Sequence, residues 1–184
     1  MTELVFTNRY ATHPDDVRGY DTEQLRKHFL LDNLMQADSL VLNYTHYERL
    51  IVGSAVPTTQ PLFLPTVDAL KAEYFLERRE LGIINVGADG VVVVDDVTYP
   101  LANKEALYVG RGAKAVWFHS INPEQPAKFY LNSTPAHRAY PHTHITMAQC
   151  NVLHMGALET SNHRDIYQLM IQGVVETCQL QMGL

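Results

Sequence analysis

EYFLERRELGIINVGADGVVVVDD, residues 73–96, is the stretch whose reading decides the fold. Its apolar runs are short, Asp89-Gly90 interrupts it at a turn, and no helical spacing of apolar positions persists across it. The same rhythm continues downstream through VTYPL, EALYVG, KAVWFHSI and AKFYLNS, punctuated by Gly110-Arg111-Gly112. Short strands separated by turn residues, with hardly any helix, predict a sandwich or barrel of antiparallel strands.

Upstream, SLVLNYT alternates Leu40, Leu42 and Tyr44 with Val41, Asn43 and Thr45, and RLIVGSAVP repeats the pattern before Pro57. VDALKAE, residues 67–73, predicts a brief helical turn. One clear helix precedes these strands: Asp21 or Thr22 as N-cap, then EQLRKHFL with Leu25 and Phe29 four apart on one side. The last segment runs HRDIYQLMI, Gly173, VVETCQLQMGL. There Cys178, Leu180 and Met182 alternate with Thr177, Gln179 and Gln181, which predicts a half-buried final strand and a chain that is one part of a longer protein. The expected division is an arm with a short helix over residues 1–38 and a β domain over residues 39–184.

The 184 residues suffice for one substantial core, and a composition 46% hydrophobic, 18% charged and 9% aromatic is that of an ordinary globular protein. A net charge of −6 argues against nucleic acid or an anionic membrane as the main partner, while leaving room for a local cationic pocket. MTELVFTNRYATHPDDVRG is neither a signal peptide nor a transit sequence, and no stretch reaches the length of an apolar membrane span. Two cysteines, Cys150 and Cys178, are too few for a disulfide framework and read as free thiols in a reducing cytoplasm.

Several residue groups are candidates for chemistry. PAHRAYPHTHITM, residues 135–147, contains His142-Thr143-His144, and a His-x-His pair on a strand is a common opening of a metal site. The residues after His144 supply no acid before Glu159, and Pro135 and Pro141 place the pair in a loop, so an adventitious pair is the plainer reading. His154 and His163 would complete a site only by coincidence of folding. The quartet Glu77-Arg78-Arg79-Glu80, laid on a strand, puts Glu77 with Arg79 on one face and Arg78 with Glu80 on the other. Arg78 and Arg79 are candidate contacts for an acidic ligand, a solvated ion pair being the alternative. Lys128 alternates with Tyr130 toward one side and is a further candidate, with a rim position as its alternative. His137 sits between strand and loop, where a ligand contact competes with a capping role. Trp117 belongs to core or interface. Gly110 and Gly112 form a turn and not a phosphate cradle, since no helix pattern follows them.

The blocks YFLERRELGIINVGADGVVVVDD, EALYVGRGAK, PAKFYLNSTPAH, TSNHR and ETCQLQMGL together closely resemble the bacterial 5-keto-4-deoxyuronate isomerases, also called 4-deoxy-L-threo-5-hexosulose-uronate ketol-isomerases, of pectin breakdown. The resemblance runs from about the early helix to Leu184 and covers the first part of the family's usual length. It implies an all-β, cupin-like jelly roll (double-stranded β-helix) that is the first half of a bicupin. It also implies a homo-oligomer, a hexamer, and a small uronate as substrate. The reaction implied converts 5-dehydro-4-deoxy-D-glucuronate to 3-deoxy-D-glycero-2,5-hexodiulosonate. The zinc implied is held by three histidines and a glutamate of the second half, opening with a Cys-His-Thr-His stretch. None of those positions lies in this sequence, so no metal ligand is carried over and no catalytic base is identified. The expectation is an aldose-ketose isomerase whose 184-residue segment is inactive alone. The alternative is a non-catalytic cupin module for oligomer assembly or sugar-acid binding, and a third, weaker reading is a small metal-dependent oxygenase using His142 and His144.

Overall fold

A computed structural model describes residues 3–184. Eight strands form the central barrel: β3 (Ile51–Ala55), β4 (Leu62–Phe63), β5 (Arg79–Asn85), β6 (Gly90–Val94), β7 (Val97–Leu101), β8 (Ala106–Val109), β9 (Val116–Ser120) and β10 (Phe129–Pro135). They are preceded by β1 (Glu3–Arg9) and β2 (Ser39–Thr45), and followed by β11 (Thr143–Ile145), β12 (Asn151–Met155), β13 (Arg164–Met170) and β14 (Met182–Gly183). One sheet has the order β1-β2-β3-β10-β5-β8-β11, the facing sheet β4-β9-β6-β7. Along β3 to β10 each successive strand crosses to the other sheet, except for the hairpin β6–β7. That winding is the jelly roll: an antiparallel sandwich, as the strand spacing predicts, in the form that the resemblance implies.

The space between the sheets is filled with apolar side chains. Leu81 and Ile83 of β5, Phe129 and Leu131 of β10, Val92 and Val94 of β6 and Phe118 of β9 are each at most 1% exposed. Phe118 and Phe129 meet with ring centroids 5.4 Å apart. Each large side chain buried this way contributes about 1.5–3 kcal/mol. A second apolar cluster lies on the outer side of the larger sheet, where Ile84, Ala106 and Tyr108 are covered by Ile145, Leu169, Met170, Leu180 and Met182. β5 and β8 are therefore buried on both faces, which is why LGII and ALYV read as continuous apolar runs and not as alternations.

The arm departs from the reading in one respect. Its helix α2 (Thr22–Phe29) is present, with Asp21 as N-cap and a reciprocal capping box to Gln24, after the short α1 (Pro14–Val17). The arm also contains β1, which pairs parallel to β2 from Glu3↔Ser39 to Arg9↔Thr45 and so joins the arm to the main sheet. Leu25 and Phe29 stay 40% and 48% exposed. VDALKAE holds a single 3-10 turn, Asp68–Leu70. At the other end the expected final strand is shortened to Met182–Gly183, although the alternation holds, with Leu180 and Met182 buried and Gln179 and Gln181 exposed. Trp117 stands 40% exposed on the outer face of the smaller sheet, beside Phe63 at 4.8 Å between ring centroids. Among the described residues, no helix is long and apolar enough to cross a membrane.

Candidate functional site

The histidine pair is occupied with structural work. His144 lies on β11 opposite Leu107, not in a loop, because Pro141 precedes the strand and leaves its ladder intact. Its Nε2 is 2.9 Å from Glu105 Oε2. His142 Nδ1 accepts the Gly110 N–H at 3.1 Å, and burial lowers its pKa against the opposing pull of Asp95. His154 Nδ1 is 2.7 Å from Asp165 Oδ1. Among the described residues, no three His, Cys, Asp or Glu side chains converge to hold a metal ion. A cupin ion would sit inside the barrel, and here that space is packed with Leu, Val, Ile and Phe. The residues present do not fit a zinc ion.

The charged quartet is arranged differently from the two-faced strand expected of it. β5 begins only at Arg79, so Glu77 and Arg78 lie in the preceding turn, with Arg78 Nε 3.9 Å from Glu77 Oε1 as an ion pair between chain neighbours. Arg79 and Glu80 are buried at 5% and 0% exposure, and each finds partners far away in the sequence. Arg79 donates from Nε to Ser133 Oγ (3.1 Å) and from Nη2 to the carbonyls of Ser133 (2.6 Å) and Arg49 (2.8 Å). Glu80 accepts the backbone N–H groups of Cys178, Gln179 and Leu180 at 2.8, 2.9 and 2.9 Å. It also accepts the hydroxyls of Tyr108 (2.8 Å) and Thr134 (3.2 Å). Neither same-face ion pair, Glu77 with Arg79 or Arg78 with Glu80, forms: Glu80 is held by backbone N–H groups and hydroxyls, and Arg79 by neutral oxygens alone.

Arg79 also borders a cleft of about 250 Å³, walled by Arg49, Arg78, Tyr44, Leu70 and Phe75 with Pro135 at its edge. A neighbouring hollow shares Arg49 and Pro135 and adds His137, Cys178 and Gln179. Burial draws the Arg79 pKa down to about 10, with Tyr44 opposing the fall and Arg49 adding to it, so the group remains a cation at neutral pH. Its guanidinium carbon lies 6.0 Å from the centre of the Tyr44 ring.

Of the residues singled out in the sequence, the fold thus brings Arg78, Arg79 and His137 to one region. It does not bring Lys128, which is exposed just before β10, while Pro135 ends that strand roughly 20 Å away at about 3.3 Å per residue. Tyr130 packs against the second apolar cluster. Sequence reasoning missed Arg49 and Tyr44. Arg49 occupies the tight turn from β2 to β3, where Glu48 and Arg49 both have positive φ, 53° and 55°. Two successive non-glycine residues in that region carry a cost of about 1–2 kcal/mol each, and no Asn-Gly or Asp-Gly signal announces the turn.

A family model described as "KduI/IolB family" matches residues 35–184. A protein of Formosa agariphila named 4-deoxy-L-threo-5-hexosulose-uronate ketol-isomerase is 57% identical over 97% of this chain and 64% of its own length. One of the same name from Bacteroides fragilis is 49% identical over 96% of this chain and 63% of its own. The chain therefore spans a little under two thirds of the length of these relatives. An IolB-like protein from Salmonella typhimurium aligns in structure with a TM-score of 0.48 and 15% identity, over 66% of this chain and 43% of that one. The jelly roll stands on the strand order, and on the match across residues 35–184 this chain belongs to the KduI/IolB family.

Proposed function

We propose that this chain is the first barrel of an aldose-ketose isomerase that converts 5-dehydro-4-deoxy-D-glucuronate to 3-deoxy-D-glycero-2,5-hexodiulosonate in uronate catabolism. The observation that carries this reading is the 57% identity, across 97% of the chain, to a protein named for that ketol-isomerase activity. Such a reaction moves a proton between neighbouring carbons through an enediol, and it needs a base together with an electrophile for the developing oxyanion. Zinc in the family's second half suits the electrophilic role. The filled interior of this barrel supports a division of labour in which these residues supply a rigid shell and the chemistry takes place elsewhere. A homo-hexamer in the cytoplasm, acting on a small uronate and on neither nucleic acid nor membrane, completes the proposal.

The second reading, a non-catalytic module that assembles oligomers or binds a sugar acid, is favoured by the same packed barrel. The two are separated by assaying the complete gene product with the uronate and following the ketose product by NMR. Turnover that a zinc chelator abolishes is the expected result. A complete product that binds the uronate without converting it would replace the isomerase reading with the module.

A further inference from the structure

We propose that the cleft between Arg49, Arg78 and Arg79 is a receptor for the carboxylate of a small sugar acid. The chain carries a net charge of −6, yet this cleft presents three guanidinium groups and no Asp or Glu in its lining. A surplus of cations in an acidic protein is costly to hold together unless an anion joins them.

The hydrogen-bonding state of each group points the same way. Arg79, 5% exposed, spends Nε and Nη2 on neutral oxygens, and among the described residues its Nη1 makes no hydrogen bond and no carboxylate pairs with it. A buried cation held only by neutral acceptors is incompletely compensated. Arg49, whose carbonyl accepts from Arg79, has no hydrogen bond or ion pair from its own guanidinium among the described residues. The Tyr44 hydroxyl likewise has no hydrogen-bond partner there, although its ring contacts Arg79. Arg78, whose Nε lies 3.9 Å from Glu77 Oε1 outside the cleft lining, is tethered from Nη2 to the carbonyls of Leu70 and Lys71, which fixes the head of an otherwise exposed side chain at the cleft wall, so the uncompensated charge is that of Arg49 and Arg79. An anchored Arg79 and an uncommitted Arg49, both with unused N–H groups and next to an unused phenol, are the donor set that a two-oxygen acid group needs.

The remaining surface limits the size and character of the ligand. At about 250 Å³ the cleft lies below the range of about 300–1,000 Å³ typical of drug-sized sites. Leu70 and Phe75 give one wall an apolar surface suited to the C–H face of a sugar ring, and the adjoining hollow with His137 and Gln179 offers polar groups for hydroxyls. Phosphate shares the chemistry that arginine recognises, so the experiment must separate the two anions. The choice of a uronate as the acid rests on the isomerase reading; the carboxylate assignment does not.

The test is titration of the 184-residue chain with D-galacturonate, neutral D-galactose and inorganic phosphate at fixed ionic strength, followed by calorimetry and by amide shifts at Tyr44, Arg49 and Arg79. Galacturonate is expected to bind and shift those signals, galactose is not, and Arg49→Gln and Arg78→Gln each weaken galacturonate about ten-fold or more. Both of those side chains are exposed, so the variants keep the fold, and Lys128→Gln binds as the parent does. Equal binding of galactose and galacturonate would overturn the proposal, as would unchanged affinity in both arginine variants or phosphate occupying the cleft where galacturonate does not. Turnover by the complete gene product is measured separately, so a failure here leaves the isomerase reading standing.

Discussion

Glu80 is a carboxylate with no exposure to water, and its two oxygens collect five donors, three of them consecutive backbone N–H groups about a hundred residues further along the chain. Charge-assisted bonds of this kind exceed the neutral average, and removing the acceptor leaves buried donors stranded. Glu80→Ala is expected to cost about 3 kcal/mol or more, read from urea unfolding, and Tyr108→Phe about 1 kcal/mol. Equal midpoints for Glu80→Ala and the parent would remove the carboxylate from its structural role. His142 supplies a pH dependence. Burial lowers its pKa in the folded chain, so below the ordinary value of 6.5 the unfolded chain binds a proton that the folded one refuses. Stability should be fully present above that pH and fall as the pH drops through the window beneath it, and His142→Asn should flatten the decline. None of this was visible in the residues alone. Glu77-Arg78-Arg79-Glu80 reads locally as two ion pairs, whereas the partners that satisfy Arg79 and Glu80 are carbonyls and N–H groups that no local pattern encodes.

The segment after β13 behaves as a lid on the outer face of the larger sheet. Leu180 and Met182 insert over Gly82, where an added β-carbon would fall 2.2 Å from Met182 Sδ and 2.8 Å from Leu180 Cδ2 and Met170 Sδ. Those are ends of flexible side chains, so Gly82→Ala should cost about 1–3 kcal/mol through overpacking. Leu180→Ala should cost about 2–5 kcal/mol through a cavity. Chemical denaturation checks both, and a Leu180→Ala variant as stable as the parent would show that the segment contributes little. At this scale much was legible. The N-cap of α2, the strand at Ser39–Thr45, the turn at Asp89-Gly90 and the terminal alternation all follow from residue type and spacing. β1 was not, because a parallel edge strand takes its register from β2 and carries no turn signal of its own. The shortening of the last strand has another cause: the N–H groups of residues 178–180 bond to the Glu80 carboxylate and not to a neighbouring strand.

Across the whole molecule, the fold separates two properties that a cupin barrel often joins. Its interior is apolar and closed, while the polar, cation-rich surface lies outside, along the end of the larger sheet where Arg49, Arg79 and Pro135 meet. The antiparallel all-β class was legible because short strands with turn punctuation leave few alternatives, and the jelly roll and the family followed from the resemblance of long specific blocks. The cleft was legible only in part: Arg78 and Arg79 stood out as adjacent charges, but Arg49 joins them through pairing of β2, β3, β10 and β5, which residue spacing does not reveal. In the division of labour proposed above, this barrel provides shell and acid recognition and not the metal-dependent proton shift. The most direct measurement is zinc content by elemental mass spectrometry, together with turnover of 5-dehydro-4-deoxy-D-glucuronate, on the purified 184-residue chain supplied with zinc. No zinc is expected to survive gel filtration and no product to form; one zinc per chain, lost together with turnover in His142→Asn or His144→Asn, would contradict that division.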